Sequence, residues 1–277
     1  MTDLVVRRLL IDLQAPFARR WNGGDAFRSA IFNALSMSFP VGEQFFIDAV
    51  RLGMKSLPDA ERARLEPEVQ GFIGQEATHR RLHALYNAQL QTQGLRNTWG
   101  PRSARRVAAM ASFDPRHAVA VTAATEHLTA ILADWMLGRP ATFEGAEPRL
   151  ATLWLWHSAE ESEHRATAFD LYVALGGDHA WRVRWLRLVT RQFVVDLARQ
   201  TLRNLWDDGA LFDGRTWRSA VRFLFGRDGL VTVTRPAWRA YLAPDFHPHQ
   251  QPAERSAQWL REHAAQYAVV GVATVNA

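Results

Sequence analysis

The chain has 277 residues, of which 48% are apolar and 11% aromatic, so we expect a sizeable buried core and exclude disorder. It contains no cysteine, which excludes a disulfide framework, a thiolate zinc site, a thiol nucleophile and a cysteine-held iron–sulfur cluster. The formal net charge is +5, and it comes almost entirely from arginine because Lys55 is the only lysine.

The N-terminal stretch MTDLVVRRLLIDLQAPFARR has an apolar patch that arginines interrupt. It lacks the continuous apolar run and the small-residue cleavage site of a signal peptide. The sequence has no stretch of 18 uncharged apolar residues, so no transmembrane helix is predicted. We therefore expect a cytoplasmic location, and association with a membrane surface is left open.

Helical periodicity dominates the first 175 residues, and no convincing pattern of alternating strands is found. We expect Pro40 to break or restart the first helix and Pro67 to kink or split the second, because proline lacks the N–H that a helix interior needs. A loop rich in glycine, proline, asparagine and arginine follows at about 94–103. The predicted helices cover about 26–38, 40–56, 61–93, 104–111, 115–137 and 149–175.

The remainder of the chain also predicts helices, but shorter ones. An amphipathic helix is expected at about 181–206, and further helices at about 214–226, 235–242 and 253–267. The stretch APDFHPHQQP, 243–252, is a proline-punctuated loop. We therefore predict an all-α fold of four long helices at 1–180, with accessory helices at 181–277 that pack on this bundle rather than fold independently.

The C-terminal part is strongly basic. Residues 181–261 hold fourteen arginines against seven acidic residues, together with six tryptophans. Such a segment could bind phosphates, nucleic acid or an anionic membrane. We favour the alternative that it forms an arginine-rich solvated helix face whose tryptophans pack inward.

Two Glu-x-x-His motifs stand on predicted helices. Glu76 and His79 form the first, and Glu161 and His164 form the second. Residues three apart on a helix are side-chain neighbours, so each pair can offer a carboxylate and an imidazole to one metal ion. The alternative is that these glutamates form ordinary exposed ion pairs with the arginines that follow them four residues later.

An isolated glutamate precedes each motif, on a helix that is otherwise apolar. Glu43 lies 33 residues before Glu76, and Glu126 lies 35 residues before Glu161. Four bare carboxylates in one core would repel each other and pay a severe desolvation penalty, which two divalent metal ions would compensate. One glutamate from each of two helices and Glu-x-x-His from each of two others is the ligand pattern of ferritin-like di-metal bundles.

With these motifs the sequence resembles the proteins classed as predicted metal-dependent hydrolases, which have a ferritin-like helical fold. It is also similar in ligand pattern to the di-iron N-oxygenases that oxidise arylamines. The resemblance covers about 30–175, and the APDFHPHQ loop resembles the first group. It implies that six residues ligate the metals: Glu43, Glu76, His79, Glu126, Glu161 and His164.

The N-oxygenases carry His-x-x-x-Glu-x-x-His on the fourth helix, with the first histidine as an extra iron ligand. His157, Glu161 and His164 reproduce this spacing, so the resemblance implies His157 as a seventh ligand. Three other residues are candidates to support the ligands from behind or to compete with them: His83, Glu160 and Asp134. For Asp134 an ion pair is the favoured alternative, whereas His127 and Glu163 are expected on the surface.

Carboxylate and imidazole ligands suit iron, and manganese is an alternative. We therefore expect a di-iron carboxylate protein, an O₂-dependent oxidase or oxygenase that acts on a small organic substrate. No catalytic residue is expected beyond the metal ligands, since the metals carry the chemistry.

Three alternatives remain open at this point. The first is a metal-dependent hydrolase that uses a hydroxide activated by two metals, and the second is a non-enzymatic iron-binding protein. The third is a helical protein that binds membranes or nucleic acid through its basic segment. We expect a small-molecule substrate, O₂ and an electron donor as partners and no nucleic acid, with peripheral membrane contact and a homodimer left open.

Overall fold

The computed structural model describes residues 4–270, and most of this range is helical. A pair of three-residue strands, β1 (Arg7–Leu9) and β2 (Tyr267–Val269), joins the two ends of the range. The helices are α1 (Ala26–Lys55), α2 (Asp59–Thr92), α3 (Trp99–Met110), α4 (Pro115–Leu137), α5 (Pro148–His164), α6 (Thr167–Ala174), α7 (His179–Asp207), α8 (Gly214–Phe225), α9 (Leu230–Ala240) and α10 (Glu254–Glu262).

Helices α1, α2, α4 and α5 form the bundle that the sequence predicts. Helix α1 packs along α2, and α4 packs along α5, with further contacts of α1 with α4 and of α2 with α5. Helix α3 lies in the long connection between α2 and α4, which corresponds to the single crossover of ferritin-like bundles. The predicted all-α, ferritin-like fold is confirmed.

The predicted break at Pro40 is wrong, because α1 continues through this residue. Because proline has no N–H, the carbonyl four residues earlier loses its helical hydrogen bond. In α1 this is the carbonyl of Ser36. The side-chain amide of Asn87 on α2 donates to this oxygen at 2.8 Å. A neighbouring helix therefore replaces the lost bond. Helix α2 likewise continues through the exposed Pro67.

The predicted fourth helix is two helices, since α5 ends at His164 and α6 begins at Thr167. The side chain of Arg165 holds the junction. Its guanidinium donates to the carbonyls of Pro248 and Gln251 at 3.0 and 2.8 Å, so the proline loop 243–252 is fastened directly behind the second Glu-x-x-His motif.

The short antiparallel sheet is a feature that sequence analysis missed. Arg7 pairs with Val269 and Leu9 with Tyr267, so the partners lie at opposite ends of the sequence. The chain before β1 runs along α2, where two glycines allow it to approach. A Cβ atom at Gly71 would lie 2.5 Å from Leu4 Cβ, and one at Gly74 would lie 2.4 Å from Val6 Cγ2.

Beyond the bundle, α7 packs on α1 and α4, while α8 and α9 cover α1 and α4, respectively. Helix α9 begins at Leu230, five residues before the predicted start, and α10 ends at Glu262 rather than near 267. Trp259 is buried, but Trp206 and Trp217 stay exposed, so the tryptophans of the basic segment do not all pack inward. Within residues 4–270, each helix is too short or too polar to cross a bilayer.

Candidate metal centre

The bundle brings the six predicted ligands into one buried cluster. Each helix of the bundle contributes one or two of them: Glu43 from α1, Glu76 and His79 from α2, Glu126 from α4, and Glu161 and His164 from α5. All six side chains are buried, with at most 4% of any residue exposed. The exposed ion pairs of the alternative interpretation are therefore absent. Arg80 instead contacts Gln44, and Arg165 holds the α5–α6 junction.

Four of these residues face a common point. Glu76, His79, Glu161 and His164 each offer one ligand atom, and these atoms lie within 4.8 Å of one another. Nδ1 of His79 is 3.4 Å from Glu161 Oε1, and Nε2 of His164 is 3.3 Å from Glu76 Oε1. The four therefore form a buried group that could hold a metal ion.

The second ring nitrogen of each histidine in this group lies next to a further carboxylate. Nε2 of His79 lies 2.9 Å from Glu160 Oε2, and Nδ1 of His164 lies 2.9 Å from Glu126 Oε2. Glu126 differs from Glu160 because its second oxygen, Oε1, has no hydrogen-bond partner. It thus retains a free ligand atom, whereas both oxygens of Glu160 have partners in His79 and Arg7.

A second group adjoins the first. Glu43, His83 and His157 each have a ligand atom within 4.8 Å of the other two. His157 links the groups, since its Nε2 lies 2.8 Å from Glu161 Oε1 and its Nδ1 lies 2.7 Å from His83 Nε2. Nδ1 of His83 is 2.9 Å from Ser36 Oγ. Both ring nitrogens of His157 and of His83 therefore have partners within the protein.

The six predicted ligands differ from His83 and His157 because they have buried polar atoms without a hydrogen-bond partner. Eight buried oxygens and nitrogens of the six have no hydrogen-bond partner, although some lie close together: both oxygens of Glu43 and of Glu76, one oxygen each of Glu126 and Glu161, Nδ1 of His79 and Nε2 of His164. Buried polar atoms are nearly always satisfied in folded proteins. So many unpartnered ligand atoms within one buried cluster fit a centre that cations complete.

The pKa values of the carboxyl groups reflect this crowding. Burial raises the pKa of Glu43 well above its usual value, and the neighbouring charge of Glu76 adds to the effect. Burial also raises the pKa of Glu126 well above normal, and that of Glu76 to about 7. Burial alone would raise the pKa of Glu161 too, but His164 and His157 hold it well below the usual range. Nearby positive charge is therefore needed to keep this set of carboxylates ionised together.

The pKa values of the histidines also differ between the two groups. Burial lowers the pKa of His157 to about 4 and that of His83 well below normal, which keeps both rings neutral near pH 7. For His79, burial lowers the pKa, but the hydrogen bond to Glu160 and the nearby carboxylates of Glu161 and Glu76 outweigh it and raise the pKa well above normal. A neutral imidazole is the form that ligates a metal, so a cation at His79 would displace a proton.

The other candidates lie outside the cluster or beside it. Asp134 is partly exposed and pairs with Arg255 at 2.7 Å, which is the ion pair that sequence analysis favoured. The expected surface position of His127 is wrong, because its ring is buried between Tyr241 and Phe246. Glu163 is only partly exposed and pairs with Arg7 at 2.7 Å.

Arg7 is the residue near the site that sequence analysis missed. Its guanidinium donates to Glu160 at 3.0 Å and to both oxygens of Glu163 at 2.7 and 3.0 Å. It therefore fixes the carboxylate that holds His79. An arginine in a three-residue strand, 153 residues away from its partner along the chain, leaves no local signal in the sequence.

Comparison with known proteins agrees with this picture. A family model described as "Predicted metal-dependent hydrolase" matches residues 5–252. The match extends well beyond 30–175 and includes the proline loop. No curated protein and no solved structure matches the chain. Because the match covers most of the sequence, and the bundle holds a buried group of metal-ligating residues, the chain belongs to the family of predicted metal-dependent hydrolases.

Proposed function

We propose that this chain is a hydrolase that depends on two divalent metal ions, held by Glu43, Glu76, His79, Glu126, Glu161 and His164. The observation that carries the proposal is that these six residues together have eight buried atoms without a hydrogen-bond partner. Membership of the family favours hydrolysis over other metal-dependent reactions. Iron and manganese are the ions that we propose, since both suit carboxylate and imidazole ligands.

The donor set fits two cations in charge as well as in number. Four carboxylates carry four negative charges, which two divalent ions neutralise, whereas bare carboxylates in this core would be strongly destabilising. Glu76 and Glu161 belong to the central group and would hold the ions there together with His79 and His164. Glu43 and Glu126 would add a carboxylate each from the flanking helices.

The surrounding residues orient the ligands and pack aromatic rings against two of the histidines. Glu160, itself fixed by Arg7, holds the ring of His79 through Nε2, so that Nδ1 faces the centre. The rings of Trp156 and Phe72 pack edge-on against His79 and His164, with centroids 5.1 and 4.9 Å apart. Apolar surroundings of low dielectric constant strengthen the interaction of these ligands with a cation.

When bound, two divalent ions would polarise a carbonyl or phosphoryl group and lower the pKa of a water molecule. The chain supplies hydrogen bonds that hold one of the ligands next to them. Both ring nitrogens of His157 lie in a hydrogen-bonded row that runs from Glu161 through His83 to Ser36. This row fixes the position of Glu161 Oε1 from the side of α1.

The test is metal content together with hydrolysis. The chain is loaded anaerobically with Fe(II) or Mn(II), its metal content is measured by mass spectrometry, and cleavage of p-nitrophenyl esters and phosphoesters is followed. We expect two ions per chain, and hydrolysis that a chelator abolishes and added metal restores. Glu76→Gln should lose metal and activity, whereas Glu66→Gln, at a partly exposed position of the same helix, should lose neither.

Two results would count against the proposal in different ways. A chain that binds no metal would contradict the metal centre itself. A chain that binds two ions and cleaves neither class of substrate, yet oxidises a substrate with O₂, would contradict hydrolysis.

O₂-dependent oxidation is the second candidate, and one observation favours it. The order His-x-x-x-Glu-x-x-His places His157 against Glu161 at 2.8 Å, in the spacing of the arylamine N-oxygenases that the sequence resembles. Exposing the Fe(II)-loaded chain to O₂ distinguishes the two functions. An oxidase would consume O₂ and oxidise its iron, as seen by visible absorption and Mössbauer spectroscopy, whereas a hydrolase would keep its activity with redox-inert metal.

A further inference from the structure

A cavity of about 340 Å³ leads away from the candidate centre, and we call it the site pocket. It lies between α1, α3, α4 and α7. Glu43, His157 and Glu161 line its buried end, and the half-exposed Phe113, at the turn between α3 and α4, lines its outer end. The pocket therefore connects the ligand cluster with the surface, and its volume is in the range of small-molecule sites.

The site pocket runs beside α3. Residues along this helix, from Trp99 to Met110, border it. These two positions lie about 16 Å apart along the helix axis at about 1.5 Å per residue. The site pocket therefore offers an extended molecule a path beside α3.

The walls of the site pocket are almost entirely apolar. Most of its lining is aromatic or aliphatic, including Phe39, Phe45, Phe46, Val107, Val121 and Val189. Among the described residues that border it, Arg106 and Asp196 are the charged groups outside the ligand cluster, and they pair with each other. No unpaired charge is thus offered along the walls to a charged substrate.

We propose that the substrate carries a linear, neutral hydrocarbon chain that occupies the site pocket, with its reacting group at the end next to Glu43 and Glu161. The class is an acyl or alkyl compound such as a fatty ester. Only the nature of the reacting group rests on the proposed function. The occupation of the pocket by an apolar chain rests on its shape and walls.

A second apolar cavity provides a control. It has a volume of about 570 Å³, is bordered by α7, α8 and α9, and is lined by Leu128, Val231 and Trp238 among others. Phe193 borders both cavities. The ligand cluster borders the site pocket and not this second cavity, so a substrate chain in reach of the centre belongs in the former.

Binding is measured first, with linear 1-alkanols from butanol to dodecanol, which are neutral and cannot be hydrolysed. Trp99 and Trp185 line the site pocket, so the change in tryptophan fluorescence reports occupation, and calorimetry gives Kd. Burial of each methylene should lower Kd by about fourfold. A Kd that does not change with chain length would overturn the proposal.

Two variants on opposite walls place the ligand. Val107→Trp on α3 and Val121→Phe on α4 narrow the site pocket and should each weaken dodecanol binding by about tenfold or more. Val231→Trp, in the second cavity, should leave Kd within about twofold. If only Val231→Trp weakens binding, the chain occupies the other cavity and the proposal is wrong. Thermal unfolding monitored by circular dichroism establishes that each variant folds.

Activity then separates this inference from the proposed function. If p-nitrophenyl esters are cleaved, kcat/KM should rise from acetate to decanoate, and Val107→Trp should remove the rise. If no ester is cleaved but alkanol affinity still grows with chain length, hydrolysis is wrong and the substrate class stands. If short esters are cleaved and chain length changes neither kcat/KM nor Kd, hydrolysis stands and the proposed substrate class is wrong.

Discussion

Two buried carboxylates stand behind the histidines of the central group, and only one of them was proposed as a ligand. Glu126 and Glu160 each lie 2.9 Å from a ring nitrogen, of His164 and His79 respectively. The other oxygen of Glu160 accepts a hydrogen bond from Arg7, so Glu160 can orient a histidine but has no free atom for a cation. Such outer carboxylates commonly change metal affinity by 10–100-fold when they are removed.

The first prediction concerns this difference between orienting and ligating carboxylates. Glu160→Gln should weaken metal binding by about 10–100-fold without changing the number of bound ions, because a glutamine has one acceptor oxygen and cannot hold both His79 and Arg7. Glu163→Gln is the matched control, since Glu163 also pairs with Arg7 but does not touch His79. Competition with a chelator of known affinity measures both, and equal losses in the two variants would contradict the role of Glu160.

Helix α3 is the element that forms the outer wall of the site pocket, and polar contacts hold it on α7. Oε1 of Gln200 accepts bonds from the backbone N–H groups of Thr98 and Trp99, which satisfies the start of α3. Asp196, fully buried on α7, accepts from Arg102 at 2.7 Å and also from Arg106. The wall of the pocket is thus fixed by the Gln200 amide and by one buried carboxylate, that of Asp196.

The second prediction follows from the pKa of Asp196. Burial raises this pKa, but the hydrogen bonds from Arg106 and Arg102 outweigh it and hold the pKa below its usual value. A carboxyl group with a lowered pKa in the folded state adds stability above its unfolded pKa of about 3.9, and this is lost as pH falls through the folded value. Asp196→Asn should therefore lower the free energy of unfolding by about 2 kcal/mol at pH 7.

Urea unfolding from pH 7 to pH 3 checks this dependence. The difference between the wild-type chain and Asp196→Asn should be constant above about pH 5 and should shrink below about pH 4, as the wild-type carboxyl group takes up its proton. A difference that is still undiminished at pH 3 would rule out the ion pairs with α3 as its cause.

The third prediction concerns the contact between the N-terminal segment and α2. A Cβ atom at Gly74 would lie 2.4 Å from Val6 Cγ2, so Gly74→Ala forces the segment that carries Arg7 outward. We expect a loss of about 1–3 kcal/mol in stability from the overpacking, together with weaker metal binding, because Arg7 no longer fixes Glu160. Chemical unfolding and chelator competition report the two effects.

Gly42→Ala is the control for the third prediction, since the nearest atom to its new Cβ would be Phe46 Cζ at 3.9 Å. There the better helix propensity of alanine should raise stability by up to about 1 kcal/mol. A Gly74→Ala variant that behaves like Gly42→Ala would mean that the segment yields without loss.

For the whole molecule, the cluster is where the four bundle helices meet, so metal and fold should depend on each other. Ligands that bind only the folded state stabilise it, by about 2.7 kcal/mol at a hundredfold excess over Kd. The fourth prediction is that a chelator lowers the melting temperature of the purified chain and that Fe(II) or Mn(II) restores it. Calorimetry checks this, and a melting temperature that does not respond to either would contradict a metal-stabilised bundle.

Much of the bundle could be predicted because its information is local. Helical spacing alone puts Glu76 next to His79 and Glu161 next to His164, and a lone Glu126 in an apolar run indicates a buried carboxylate. The structure brings these residues together as expected.

What could not be predicted depends on distant partners. Asn87 rescues the helix at Pro40, the proline loop holds the break at Arg165, and Arg7 reaches Glu160 from a strand that pairs with the other end of the chain. None of these contacts has a signature within its own segment.

The central claim is that two cations complete the buried cluster, and anomalous diffraction from crystals of the Mn(II)- or Fe(II)-loaded chain tests it most directly. The account predicts two anomalous peaks per chain, both within ligand distance of carboxylates or imidazoles from Glu43, Glu76, His79, Glu126, Glu161 and His164. Peaks only at the protein surface, or a loaded crystal with no peak among these six side chains, would contradict it.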